Sequence, residues 1–179
     1  MQSAQEWIDH LQLEPHIEGG FYKRLYQADQ QPRVITAHGA RYSMTSIYYM
    51  LTESSPIGRL HLNRSDILHV FIAGSPVNYT LIHSDTGELQ QYRMGNNISA
   101  YESPTLVVPG GYWKASELVI DSKTDSHSPV AHNPNSERFS LIVEAVSPGF
   151  EFDDMTLAER STLSRRFPQH CDVIKRLTP

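Results

Sequence analysis

The sequence predicts a mainly β domain, a sandwich or small barrel, with short helices at its two ends. Three observations carry this. From Ser43 to Gly149, short segments rich in β-branched and aromatic residues alternate with turn residues. Ser84-Asp85-Thr86-Gly87 and Pro109-Gly110-Gly111 are clear turn signals between such segments. Helical spacing of apolar residues appears only near the two termini. Many short strands without intervening helices argue against a parallel α/β sheet.

In chain order, Ser3-Ala4-Gln5-Glu6 fits a capping box, and Trp7, Ile8 and Leu11 follow at helical spacing, predicting a helix over Ala4–Leu11. Glu14 to Gly20 is a loop, and Phe21 to Gln27 a strand. Ala28 to Arg41, polar and holding Pro32 and Gly39, reads as a crossing segment or loop. Met44 to Leu51 is a strand. Leu60, Leu62, Ile67, Val70 and Ile72 suit two strands, and Asn63-Arg64-Ser65-Asp66 between them predicts a hairpin turn. Val77 to His83 and Glu88 to Met94 form a second hairpin across the Ser84–Gly87 turn. Thr105 to Val108, Trp113 to Ile120 and Phe139 to Val146 complete the strands. Asp121 to Arg138, dominated by Ser, Asp, Asn and Pro, predicts a long surface loop. Thr156-Leu157-Ala158-Glu159 fits a second capping box for a helix to about Arg166. Phe167-Pro168 stops it, and a last helix covers Cys171 to Leu177.

The 179 residues suit one domain, without internal repeat or linker. With 15 basic and 20 acidic residues and no basic stripe, nucleic acid is not an expected partner. The apolar runs are strand-sized, so no membrane helix is expected, and the first residues do not resemble a signal peptide. The single cysteine, Cys171, allows no internal disulfide and points to a cytoplasmic setting.

The densest polar stretch is Gly58 to Gly74, where His61, Asn63, Asp66 and His69 interrupt apolar strand residues. Polar groups at strand ends around a turn face the mouth of a barrel, where small ligands bind. Glu18-Gly19-Gly20-Phe21-Tyr22, Ser43 to Tyr49, His61, Ser65-Asp66, Ala73-Gly74, Val108 to Trp113 and Val146-Ser147-Pro148-Gly149-Phe150 together resemble the DUF985 branch of the cupins. The resemblance implies a double-stranded β-helix (jelly-roll) barrel over residues 1–179, a ligand pocket inside it, a homodimer, and an insertion over 121–138.

Metal-binding cupins carry two histidines and a glutamate in one motif and a histidine in a second. By that resemblance His61 holds the first position, but Asn63, Ile67 and Lys114 stand at the other three. Ile offers no lone pair and a lysine ammonium repels a dication, so neither metal nor other cofactor is expected. Asp66, His69 and Glu144 are the donors that could substitute. Glu144 interrupts an apolar strand, and alternation alone leaves open whether it points outward or into the pocket.

Two functions fit. Metal-free cupins resembling sugar-nucleotide epimerases use a histidine base, an acid and a cation; here His61 is the candidate base, Lys114 the enolate-stabilising cation, and Tyr79 the acid, with Tyr48 and Tyr112 as alternatives. The same pocket, lined by Arg24, Tyr48, Asn63, Trp113 and Glu144, could instead hold a small sugar-like or anionic ligand without turning it over. His16, His38, His127 and His132 are expected at the surface, and His69 in a packed position. For the dimer, Phe21 to Gln27 or Met44 to Leu51 is expected near the interface.

Overall fold

The computed structural model describes residues 2–120 and 137–179. The 121–138 loop, with His127 and His132, therefore falls almost wholly outside the described residues. Helix α1 (Ala4–Leu11) begins with the predicted capping box: the Ser3 hydroxyl accepts from the Glu6 amide at 3.2 Å, and the Glu6 carboxylate accepts from the Ser3 amide at 2.6 Å. The strands are β1 (Glu14–Pro15), β2 (Phe21–Gln27), β3 (Val34–Thr36), β4 (Gly39–Arg41), β5 (Thr45–Thr52), β6 (Ile57–Asn63), β7 (Asp66–Gly74), β8 (Val77–His83), β9 (Leu89–Met94), β10 (Thr105–Val108), β11 (Tyr112–Leu118), β12 (Phe139–Ser147) and β13 (Met155–Leu157). Helices α2 (Arg160–Arg166) and α3 (Cys171–Leu177) close the chain.

Two antiparallel sheets face each other. One runs β1-β2-β5-β12-β7-β10 and the other β13-β6-β11-β8-β9, with β3 and β4 forming a separate ribbon. The barrel interior draws on both: Tyr49, Leu51, Phe71, Leu106 and Ile142 from the first meet Val77, Tyr79, Leu81 and Met94 from the second. On the outer face of the first sheet, α1 packs Ala4, Trp7 and Ile8 against Met50 and Leu141. On the outer face of the second, α2 and α3 pack Leu163, Ile174 and Leu177 against Leu60, Ile82 and Trp113.

Three local expectations are corrected. Asn63–Asp66 is not a hairpin turn, because β6 and β7 belong to opposite sheets and share no ladder. The chain crosses the barrel there, and it crosses back at Pro109-Gly110-Gly111 between β10 and β11. The two crossings are bonded to each other: the Gly110 amide donates to the Asp66 carboxylate at 2.8 Å and the Gly111 amide to the Asn63 carbonyl at 2.9 Å. A Cβ on Gly110 would lie 2.0 Å from the Arg64 carbonyl oxygen, so only glycine lets the turns approach this closely. Second, the Ala28–Arg41 segment contains the β3-β4 ribbon. Third, Thr156 does not cap α2, because β13 holds it extended opposite Leu62. Glu159 is the cap, accepting from the Ser161 and Thr162 amides at 3.0 and 2.7 Å.

Candidate functional site

The barrel encloses a cavity of about 230 Å³. Its walls come from β2 (Tyr22, Lys23, Arg24), β5 (Thr45, Ile47, Tyr49), β6 (His61, Asn63) and β12 (Glu144, Val146). Ile67 of β7, Phe150 and Phe152 just after β12, Glu14 of β1, and His16 and Glu18 just before β2 complete the lining. Along β5 alternation explains the membership: Ile47 and Tyr49 face in, while Tyr48 packs outward with the α1 cluster.

At the heart of the cavity lies His61, 3 % exposed. Its Nδ1 is 2.7 Å from the Arg59 carbonyl oxygen and 3.3 Å from Oε2 of Glu18. A carbonyl can only accept, so Nδ1 carries the proton and Nε2 is the basic nitrogen. Burial, and after it the Lys114 charge, pushes the imidazole down to about 3, so His61 is neutral at pH 7. Burial pushes the Glu18 carboxyl up to about 8, which leaves it protonated there. His16 stands beside it, Nδ1 3.7 Å from Glu18 Oε2, its ring edge-on to Tyr22 at 4.5 Å.

Local backbone geometry sets Glu18 in place. Gly19 and Gly20 both have positive φ, 99° and 70°, and a Cβ on Gly19 would lie 2.2 Å from the Ile57 carbonyl oxygen. The turn is pinned to β6 where the Arg59 amide donates to the Glu18 carbonyl at 2.7 Å, and to β5 where the Tyr49 hydroxyl donates to the Gly19 carbonyl at 2.9 Å.

Behind the cavity wall, Lys114 crosses from β11 toward β7 and β12. Its Nζ is 3.0 Å from His69 Nε2 and 3.3 and 3.5 Å from the two oxygens of Glu144. Burial alone would raise the Glu144 carboxyl, but the Lys114 ammonium and then His69 hold it well below the usual carboxylate range. Burial, then Lys114, lowers His69, which stays neutral.

Of the residues singled out from sequence, His61, Asn63, Arg24 and Glu144 line one cavity. Lys114 reaches Glu144 from the opposite sheet without lining it. Tyr79 is 1 % exposed in the barrel core, its ring 5.0 Å from that of His69 and its hydroxyl without a hydrogen-bond partner among the described residues. Tyr48 and Trp113 face outward, under α1 and under the C-terminal helices. Sequence reasoning missed Glu18, and it placed His16 at the surface although its side chain is 7 % exposed. The available signal was the Gly-Gly pair after Glu18, which forces a turn at the cavity wall.

A divalent metal does not fit this donor set. Among the described residues, no group of three or more His, Cys, Asp or Glu is arranged to hold one. The two donors nearest Lys114, on His69 and Glu144, already engage its ammonium.

Residues 5–158 match the Cupin_5 family, described as Cupin superfamily (DUF985). The chain belongs to this DUF985 family of cupins. An uncharacterised protein of Saccharomyces cerevisiae is 33 % identical over 166 residues, covering 86 % of this chain and 74 % of its own. A hypothetical protein from Leishmania major superposes with a TM-score of 0.84 at 29 % identity, over 99 % of both chains. Oxalate decarboxylase of Bacillus subtilis superposes with a TM-score of 0.53 at 11 % identity, over 92 % of this chain and 37 % of its own, a likeness of fold alone. The expected cupin jelly roll with short terminal helices is thereby borne out. Among the described residues of this DUF985 cupin, no helix is long and apolar enough to cross a membrane.

Proposed function

We propose that this DUF985 cupin binds a small sugar-like or anionic metabolite in its barrel, and that His61 is the base of a metal-independent, isomerase-like proton transfer on it. The observation that carries this reading is the arrangement of His61: a neutral, buried imidazole on the cavity wall, Nδ1 fixed by the Arg59 carbonyl, Nε2 left unprotonated with its lone pair. Glu18 faces the Nδ1 side, where positive charge appears once Nε2 takes a proton. Its protonated carboxyl also replaces Tyr79 as the acid, since Tyr79 does not line the cavity. Because Glu18 stands beside His61 and not across the cavity from it, a proton shift between neighbouring atoms suits the pair better than inversion of one centre. Arg24 and Lys23 supply cationic groups for a carboxylate or phosphate on the ligand.

The test is a thermal-shift screen against sugar phosphates, sugar nucleotides and small hydroxy- and keto-acids. A compound that binds the folded state raises its melting temperature by mass action. Hits are then incubated in D2O and followed by NMR. Deuterium entering next to a carbonyl with wild type, and not with His61→Asn, supports the isomerase-like reading. Binding without exchange supports a ligand-binding protein, the second reading, which the same apolar wall of Ile47, Tyr49 and Phe150 favours.

Two further expectations stand as part of the proposal. The chain forms a homodimer, in which a second copy covers the exposed apolar side chains of Leu25 and Tyr26 on β2 and of Val34 and Ile35 on the ribbon. Sedimentation as a monomer at micromolar concentration would remove this. The setting is cytoplasmic, as the lone Cys171 suggests.

A further inference from the structure

Three buried side chains neither give nor take a proton in the transfer assigned to His61 and Glu18: Lys114, Glu144 and His69. Glu144 and His69 are register partners on β12 and β7, and Lys114 comes to them from β11 in the opposite sheet. None is more than a tenth exposed, and His69 is fully buried. Nδ1 of His69 is 3.3 Å from the Leu106 carbonyl oxygen, to which it donates, so Nε2 presents a lone pair to the Lys114 ammonium 3.0 Å away. The Glu144 carboxylate accepts from the same ammonium at 3.3 Å.

The separation of these two donors is informative. Nε2 of His69 and Oε1 of Glu144 are 3.4 Å apart. Two ligands bound at ~2.0–2.1 Å with tetrahedral geometry around one divalent ion are separated by ~3.4 Å. The imidazole and carboxylate thus have the chemistry and the spacing of a metal-ligand pair, yet both are turned onto a lysine. A second cation beside Nζ would meet a like charge in a poorly polarisable interior, and the lone pair it needs is already engaged.

We propose that the Lys114 ammonium is the resident cation of this barrel, held by His69 and Glu144 and excluding a divalent metal from them. The site holds a cation, balanced by Glu144, that chelators cannot remove and that metal supply does not alter. This inference stands whether or not His61 moves a proton, because it rests on a different set of side chains.

The experiment is zinc uptake by equilibrium dialysis with elemental analysis, on wild type, Lys114→His, Lys114→His/Glu144→Gln and Lys114→Met/Glu144→Gln. The chain has nine histidines, and exposed ones bind zinc weakly, so the readout is the uptake that depends on Glu144. Replacing the ammonium by an imidazole removes the like charge and adds a third donor. Wild type is expected to take up no more zinc than Lys114→Met/Glu144→Gln. Lys114→His is expected to hold one additional equivalent per chain, with a raised melting temperature, and Lys114→His/Glu144→Gln to lose both. Glu144-dependent uptake by wild type overturns the proposal, and so does a folded Lys114→His that binds no more than wild type. If Lys114→His folds only when zinc is present, that recovery supports the proposal. Failure to fold with zinc, while Lys114→Met/Glu144→Gln folds, overturns it.

Discussion

Nδ1 of His61 and Oε2 of Glu18 lie 3.3 Å apart inside the barrel, with less than a tenth of either side chain exposed. Both groups are neutral at pH 7 for the same reason: charge is disfavoured where water is excluded. A neutral base backed by a neutral acid can pass a proton without first losing one to solvent. That is a different electrostatic arrangement from the ionised pair that Glu144, on the cavity wall, makes with Lys114 behind it.

The first prediction concerns pH and stability. The Glu18 carboxyl titrates at about 8 in the folded chain against 4.5 ordinarily, so between these values the folded state binds more protons and stability falls as pH rises. Glu18→Gln removes that loss. Urea denaturation should find the variant gaining on wild type from pH 5 to pH 9. His61 works in the opposite sense: its folded value of about 3 lies below the ordinary 6.5, so its contribution is complete above 6.5 and is lost as pH falls toward 3. Parallel curves for wild type and Glu18→Gln across pH 5 to 9 would refute the assignment of a buried, protonated carboxyl.

A double-mutant cycle on Lys114 and Glu144 should be strongly non-additive. Lys114→Met alone leaves a carboxylate buried without its cation, at a cost of about 3–5 kcal/mol. Adding Glu144→Gln should recover most of it, since the double variant buries no net charge. Denaturation midpoints at pH 7 check this, and additive single effects would mean that the pair is not coupled.

Trp113 and Tyr49 separate core from site. Trp113→Ala empties the space under α2 and α3 and should cost about 3–5 kcal/mol in stability, without changing the affinity of the folded protein for a screened ligand. Tyr49→Phe removes the hydroxyl that holds the Gly19 carbonyl and should cost only about 1 kcal/mol. It should nonetheless weaken ligand binding, because the turn carrying Glu18 loosens. Equal loss of affinity in both variants would contradict the assignment of faces.

Asp154 links distant parts of the cavity rim. Its carboxylate accepts from Arg41 on the ribbon at 2.5 and 2.9 Å and from Arg64 in the crossing turn at 3.2 Å, just beyond Phe150 and Phe152. Asp154→Asn should lower the melting temperature and speed amide exchange over Phe150–Asp154, with the β8-β9 hairpin unaffected. Unchanged exchange in that segment would show that the rim is held by other contacts.

Much of the fold was legible because each strand carries its own period and each turn its own residues. Phe21–Gln27, Val77–His83 and the capping box at Ser3 came out as read. What local pattern could not show was partnership. Asn63–Asp66 has the composition of a hairpin turn, but only the pairing of β7 with β12 reveals a crossing between sheets. The same limit applies to the site. A one-residue difference along β5 separates Tyr48 from Tyr49, and strand alternation does not say which of two faces is inside. Glu18 was hidden because the Gly19-Gly20 pair marks a turn without telling which side chain that turn will bury. His61 and Asn63 were found because the motif carrying them is continuous in sequence.

The placement of β12 has a consequence for assembly of the molecule. It lies between β5 and β7, with Glu144 opposite Ile47 on one side and His69 on the other. Until that strand is present, β5 and β7 have no shared neighbour and the larger sheet is two separate pieces. During synthesis, therefore, the walls carrying Arg24 and His61 emerge long before the cavity between them can close. Loop closure over such sequence distances is slow, and a chain released before residue 147 would expose two unpaired strand edges in place of a binding site.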